Sequence, residues 1–131
     1  KVARFVLEVK APLDDPDLLT VLTSYDVERA RDHLERVRRS MEAIKGQRVR
    51  ATLRIIPDRY DEALVERIAK DLAGYVDELQ VTQFMSSQND VGFAGLLSPV
   101  PDQETVMRYG RAARKHLPRV KVKGSGFEVI L

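Results

Sequence analysis

The 131-residue sequence contains no cysteine and no tryptophan, only 6% aromatic residues, and no excess of charge of one sign, with 22 basic residues against 20 acidic ones. Each shortage removes a class of function. Without cysteine the chain can form neither a disulfide nor a thiolate metal site, a composition compatible with the cytoplasmic location expected of it. A formal charge of only +2 gives no strong field for a polyanion, which argues against nucleic acid as a partner. No apolar run approaches the roughly 18 residues that a membrane-spanning helix needs, and no signal-peptide pattern opens the chain. The two histidines, His33 and His116, fall on helical stretches without a carboxylate at metal-ligand spacing, so no metal site is expected. What is present is a globular composition, 44% hydrophobic and 32% charged, and a length that fits one domain spanning residues 1–131.

Periodicity organises that domain. Residues 2–9 read as a nearly continuous apolar strand of the kind covered on both faces, and Ala11-Pro12 ends it. From Asp26 the apolar residues Val27, Ala30, Leu34, Val37, Met41 and Ile44 follow a helical spacing that stops at Gly46. "QRVRATLRIIP" is a second strand, followed by a helix carrying Leu64, Ile68 and Leu72, for which Asp58 is a candidate cap. "YVDELQVTQF" is a third strand, Asp102 can cap a third helix through Val106, Gly110, Ala113 and Leu117, and "RVKVKGSGFEVIL" ends the chain as one strand or as two broken at Gly124-Ser125-Gly126. Strands alternating with helices predict an α/β fold with three βα units, a terminal strand and a parallel sheet. A complete eight-stranded barrel typically takes about 250 residues, so this length suits either a partial, half TIM-type barrel or a small open sheet.

In both geometries ligands bind at the carboxyl ends of the strands. On the first strand those positions are Glu8 and Lys10, which share a face because side chains alternate. A carboxylate beside an ammonium can hold a ligand bearing both donors and an anionic group; the same two residues would also make an ordinary surface ion pair, worth about 0–1 kcal/mol. On the second strand Arg50, Thr52, Arg54 and Ile56 share a face, and Arg54 lies nearest the carboxyl end with a guanidinium suited to carboxylate or phosphate. On the third, Gln80, Thr82 and Phe84 alternate with Leu79, Val81 and Gln83. The stretch from Met85 to Asp102 is long for a connection, whose median is roughly 4–6 residues, and reads as a binding loop or a disordered one.

Several of these segments resemble one family. "FVLEVKAPL" is similar to the "hydrophobic-D-x-K" strand of radical S-adenosylmethionine enzymes, in particular the activating enzymes of glycyl radical enzymes and of anaerobic ribonucleotide reductase, with Glu8 at the acidic position and Lys10 at the lysine. "RATLRIIP" resembles the family's "R-x-x-V-V-P" strand, "VDELQVTQF" the strand after it, and "SPVPDQETVMRYGRAARKHLPRVKVKG" its "P-P-S-x-E-E-L" helix and closing strand. The resemblance implies that Glu8, Lys10, Arg54 and Phe84 contact S-adenosylmethionine: Glu8 and Lys10 its ribose or carboxylate oxygens, Arg54 its carboxylate, Phe84 its adenine. The departures are that Thr52, not an arginine, stands five residues before Pro57, and that the C-x-x-x-C-x-x-C cluster loop and the glycine-rich methionine-binding strand are absent.

The expectation that follows is the carboxyl-terminal portion of a radical S-adenosylmethionine activating-type protein, a fragment or one part of a split barrel, forming one wall of the cofactor site. It would be inactive alone, because the four-iron four-sulfur cluster that drives reductive cleavage must come from a missing amino-terminal half or a cysteine-bearing partner. Isolated, a half-barrel with open edges is expected to form a homo-oligomer. The alternative is a small cytoplasmic α/β module that binds a nucleotide or RNA at the same strand ends, or serves in assembly, without catalysis.

Overall fold

The computed structural model describes residues 4–56, 59–83 and 101–131. Among these, the chain runs β1 (Phe5–Glu8), α1 (Pro16–Leu22), α2 (Val27–Ala43), β2 (Val49–Ile55), α3 (Glu62–Leu72), β3 (Glu78–Gln83), α4 (Gln103–Arg114), β4 (Val120–Gly124) and β5 (Phe127–Ile130). One sheet holds all five strands in the order β1-β2-β3-β4-β5, parallel from β1 to β4 and antiparallel between β4 and β5. The α/β class, the βα units and the parallel sheet are as expected. The sheet is open, with β1 at one edge and β5 at the other.

Parallel strands laid side by side in chain order, joined by crossovers of one hand, put their helices on a single face. The burial pattern follows from this. On the helix side Val49, Ala51, Leu53, Ile55, Leu79, Val81, Val120 and Val122 are almost wholly buried and join the apolar stripes of the helices in one core. Each large side chain so buried contributes about 1.5–3 kcal/mol relative to exposure. The opposite side of the same strands carries Arg50, Thr52, Arg54, Gln80, Thr82, Lys121 and Lys123, so β2 reads buried and partly exposed by turns. Gly110 lets α4 approach closely, because a Cβ there would run into Cγ2 of Val122.

The helices start where an aspartate can accept a backbone N–H of the first turn. Asp15, Asp26, Asp61 and Asp102 accept from Leu18, Arg29, Leu64 and Thr105 at 3.0, 2.8, 2.8 and 2.8 Å, an arrangement whose loss costs typically about 1 kcal/mol per helix. Two of these differ from the sequence reading. Asp61, not Asp58, caps α3, placing Tyr60 just before the helix. The helix α1 forms within "APLDDPDLLT", a stretch that reads as a loop in the sequence, with Asp15 as cap, Pro16 in the first turn and Leu19 buried; its seven residues are too few to show a period.

The first strand also differs. Phe5 and Val6 are 39% and 59% exposed rather than covered on both faces, because β1 is an edge strand and Val6 projects to the polar side. At the other end the terminal stretch is two strands, turned at Gly126 with φ +77°. No helix among the described residues is long and apolar enough to cross a membrane. The segment from Met85 to Val100 lies outside the described residues.

Candidate functional site

The carboxyl ends of β1 and β2 bring together the residues that alternation placed there. Glu8, Lys10, Arg54 and Tyr60 line one cleft of about 110 Å³, with Val9, Leu22 and Ile56 as its apolar wall. Lys10 Nζ lies 3.5 Å from Glu8 Oε1, and the two side chains are 40% and 50% exposed, so both can reach a ligand. Arg54 is exposed beside them. With one carboxylate and two cations, the cleft suits a zwitterionic or anionic ligand that also offers hydroxyl or amino donors. Phe84 lies outside the described residues.

Tyr60 fixes the floor of this cleft and was not singled out in the sequence. Its hydroxyl donates to the Lys10 carbonyl at 2.7 Å, and the Tyr109 hydroxyl donates to the Tyr60 carbonyl at 3.0 Å, linking the end of β1 to α4 through two buried phenols. Burial, with the nearby charge of Glu8, pushes the Tyr60 hydroxyl well above its ordinary range. Tyr60 is therefore a neutral donor at any physiological pH. Its signal was only an aromatic residue between a strand and a capped helix; its partner lies 50 residues away.

At the amino-terminal end of the same face stands a second charged group that the sequence reading missed. Glu78 is 1% exposed, yet it meets three guanidinium groups: Arg50 Nε at 2.6 Å, Arg4 Nη1 at 3.1 Å and Arg119 Nε at 2.7 Å. The contact with Arg119 is an ion pair without hydrogen-bond alignment. Burial pushes the Glu78 carboxyl up, but the hydrogen bond and charge of Arg50, with the charges of Arg4 and Arg119, outweigh it and hold the group below its ordinary value. Glu78 ties β3 to its neighbours on both sides. A sequence signal existed, since Glu78 is in phase with Gln80 and Thr82, but its opposition to Arg50 depends on register.

Several other polar groups among the described residues are engaged locally. A cleft of about 230 Å³ lined by Leu13, Arg38, Met41, Asp71 and Tyr75 lies away from the strand ends. Arg38 donates to the Leu13 carbonyl, Asp71 accepts from the Leu13 N–H at 2.9 Å, and the Tyr75 hydroxyl donates to Glu42 at 2.6 Å. Its greater size is offset by this mutual satisfaction, so the strand-end cleft is the better candidate. His116 pairs with Glu66 at 2.9 Å, and His33 meets the Tyr25 ring edge-on at 5.6 Å between centroids. No group of three or more His, Asp or Glu side chains among the described residues is arranged to hold a metal ion. No protein-family model, curated protein or solved structure matches this chain.

Proposed function

We propose that the chain is the carboxyl-terminal part of a radical S-adenosylmethionine barrel of the activating-enzyme type and forms one wall of the cofactor site. The single observation that carries this reading is the convergence of Glu8, Lys10 and Arg54 on one cleft at the carboxyl ends of adjacent parallel strands. In this arrangement Lys10 and Arg54 hold the carboxylate of S-adenosylmethionine and Glu8 accepts from its ribose hydroxyl or amino groups. Phe84 is assigned to the adenine by the resemblance alone.

The size of the cleft, about 110 Å³, is below the roughly 300 Å³ at which ligand pockets begin, which suits a wall that another element completes. Sheet order supports the barrel half of the proposal, since strands in chain order with helices on one face are what a barrel needs. The residues present do not fit an iron–sulfur cluster, because the chain has no cysteine to ligate one. The chain alone therefore binds and orients without catalysing, and a cysteine-bearing partner or amino-terminal half supplies the redox centre. In isolation it self-associates, through an edge strand that leaves Phe5 and Val6 exposed.

Calorimetric titration with S-adenosylmethionine tests the site. Lys10→Ala is expected to weaken binding more than about tenfold, or about 1.4 kcal/mol, and unchanged affinity would reject the assignment. Where the isolated wall binds too weakly to titrate, the same comparison is made after mixing with a cysteine-bearing half, and absence of cofactor cleavage there removes the enzymatic reading. Sedimentation equilibrium at micromolar concentration is expected to show species above 14.9 kDa; a clean monomer would count against the half-barrel.

A further inference from the structure

We infer that the polar face of the sheet is a docking surface for an acidic polypeptide segment. Its side chains stand in cross-strand rows. Nearest the amino-terminal ends, Val6, Arg50 and Glu78 are neighbours in register, and Arg4 and Arg119 join them through Glu78. The middle row is Glu8, Thr52, Gln80, Lys121 and Ile130, and the next is Arg54, Thr82, Lys123 and Glu128. With Lys10, this face gathers seven cations and three carboxylates, a net charge of +4, whereas the whole chain has a net charge of +2. The rest of the chain is thus net negative, and the positive excess lies on the one sheet face that no described helix covers.

Two features favour a polypeptide over a nucleic acid. Glu8 and Glu128, 50% and 49% exposed, interrupt the cations and would repel a continuous line of phosphates, while a peptide with spaced carboxylates can straddle them. Val6 and Ile130, 59% and 56% exposed, add apolar contact at the two edges of the face that a sugar–phosphate backbone cannot use. An acidic segment with apolar residues at its ends matches both.

The face shares Glu8, Lys10 and Arg54 with the strand-end cleft and would be enclosed in a completed barrel, so the inference concerns the chain on its own; it is tested apart from the cofactor reading because Lys121 and Lys123 do not line that cleft. The probe is a fluorescein-labelled peptide of alternating glutamate and serine with a leucine at each end, titrated with the full chain by fluorescence anisotropy. Saturable binding is expected, weakened at least about tenfold between about 0.05 and 0.3 M salt as charges on the face are screened. Lys121→Gln combined with Lys123→Gln is expected to weaken binding about tenfold with S-adenosylmethionine affinity unchanged. If the pair does not fold, Lys123→Gln alone, exposed and outside the ion pair of Lys121 with Glu128, is expected to weaken it about threefold. Tighter binding to oligothymidylate or to phosphatidylserine vesicles than to the peptide would overturn the proposal, as would no peptide binding, equal binding by the variants, or resistance of the exposed Lys123 to amine labelling in the free chain.

Discussion

The polar face of the sheet carries two charged groups, each a glutamate among basic side chains, one at each end of the strands, with opposite fates. At the amino-terminal end Glu78 is shielded by Arg4, Arg50 and Arg119 and has almost no access to water. At the carboxyl-terminal end Glu8 and Lys10 lie 3.5 Å apart with about half of each side chain exposed, beside an exposed Arg54. The buried group has its ligands within the protein, and its charge is committed to holding strands together. The open group is loosely paired and free to exchange its partner for a ligand. Burial separates a structural ion cluster from a candidate site more sharply than residue identity does.

Glu78→Ala should break the contrast most strongly. Removing the carboxylate strands three guanidinium groups, and loss of one member of a buried pair costs about 3–5 kcal/mol. The lower end, about 3 kcal/mol, is expected because the three arginines keep 22%, 26% and 52% of their side chains exposed. Urea denaturation measures it; a loss under about 1 kcal/mol would mean that the arginines reach solvent unaided and the cluster holds nothing.

At the open end, Tyr60→Phe removes the hydroxyl that donates to the Lys10 carbonyl and leaves that acceptor to water or unpaired. A loss of about 1 kcal/mol is expected, together with weaker ligand binding as Lys10 loses its support; unaltered stability and binding would show that the bond positions nothing. Lys10→Ala itself should change stability by no more than about 0.5 kcal/mol, in the same denaturation assay, because its ion pair is half exposed. A large loss there would erase the distinction between the two ends.

Acid sharpens the comparison by titration. Because the folded-state pKa of Glu78 is lowered, its contribution is fully present above the unfolded glutamate value of about 4.3 and is lost as pH falls through the lower folded value. The wild-type chain should therefore lose stability across that acid window, and Glu78→Gln should flatten part of the loss. Parallel slopes for the two proteins in denaturation between about pH 5 and pH 2 would show that the group is not linked to folding.

Much of this arrangement is legible in the sequence. The period of α2, the strands at 49–55 and 78–83, the cap at Asp102 and the shared face of Glu8 and Lys10 all follow from local spacing. The helix α1 was not legible, because a seven-residue helix shows hardly two turns of pattern. Nor was the cap of α3, read as Asp58 and found at Asp61, since two aspartates near a helix start are equivalent until packing fixes where Leu64 and Val65 point.

The sequence by itself determined which residues alternate across each strand, which stripe each helix buries, that the chain cannot ligate an iron–sulfur cluster, and that Glu8, Lys10 and Arg54 stand near strand ends. These are consequences of covalent order and of the periods of 2 and 3.6 residues. The tertiary structure alone decided that β1 is an edge, that β5 turns back to pair with β4, that Tyr60 supports Lys10 from 50 residues away, and that Glu78 gathers three arginines from three different segments. Those facts rest on strand order and register, which depend on contacts between distant segments and on how much water each pair of charges keeps.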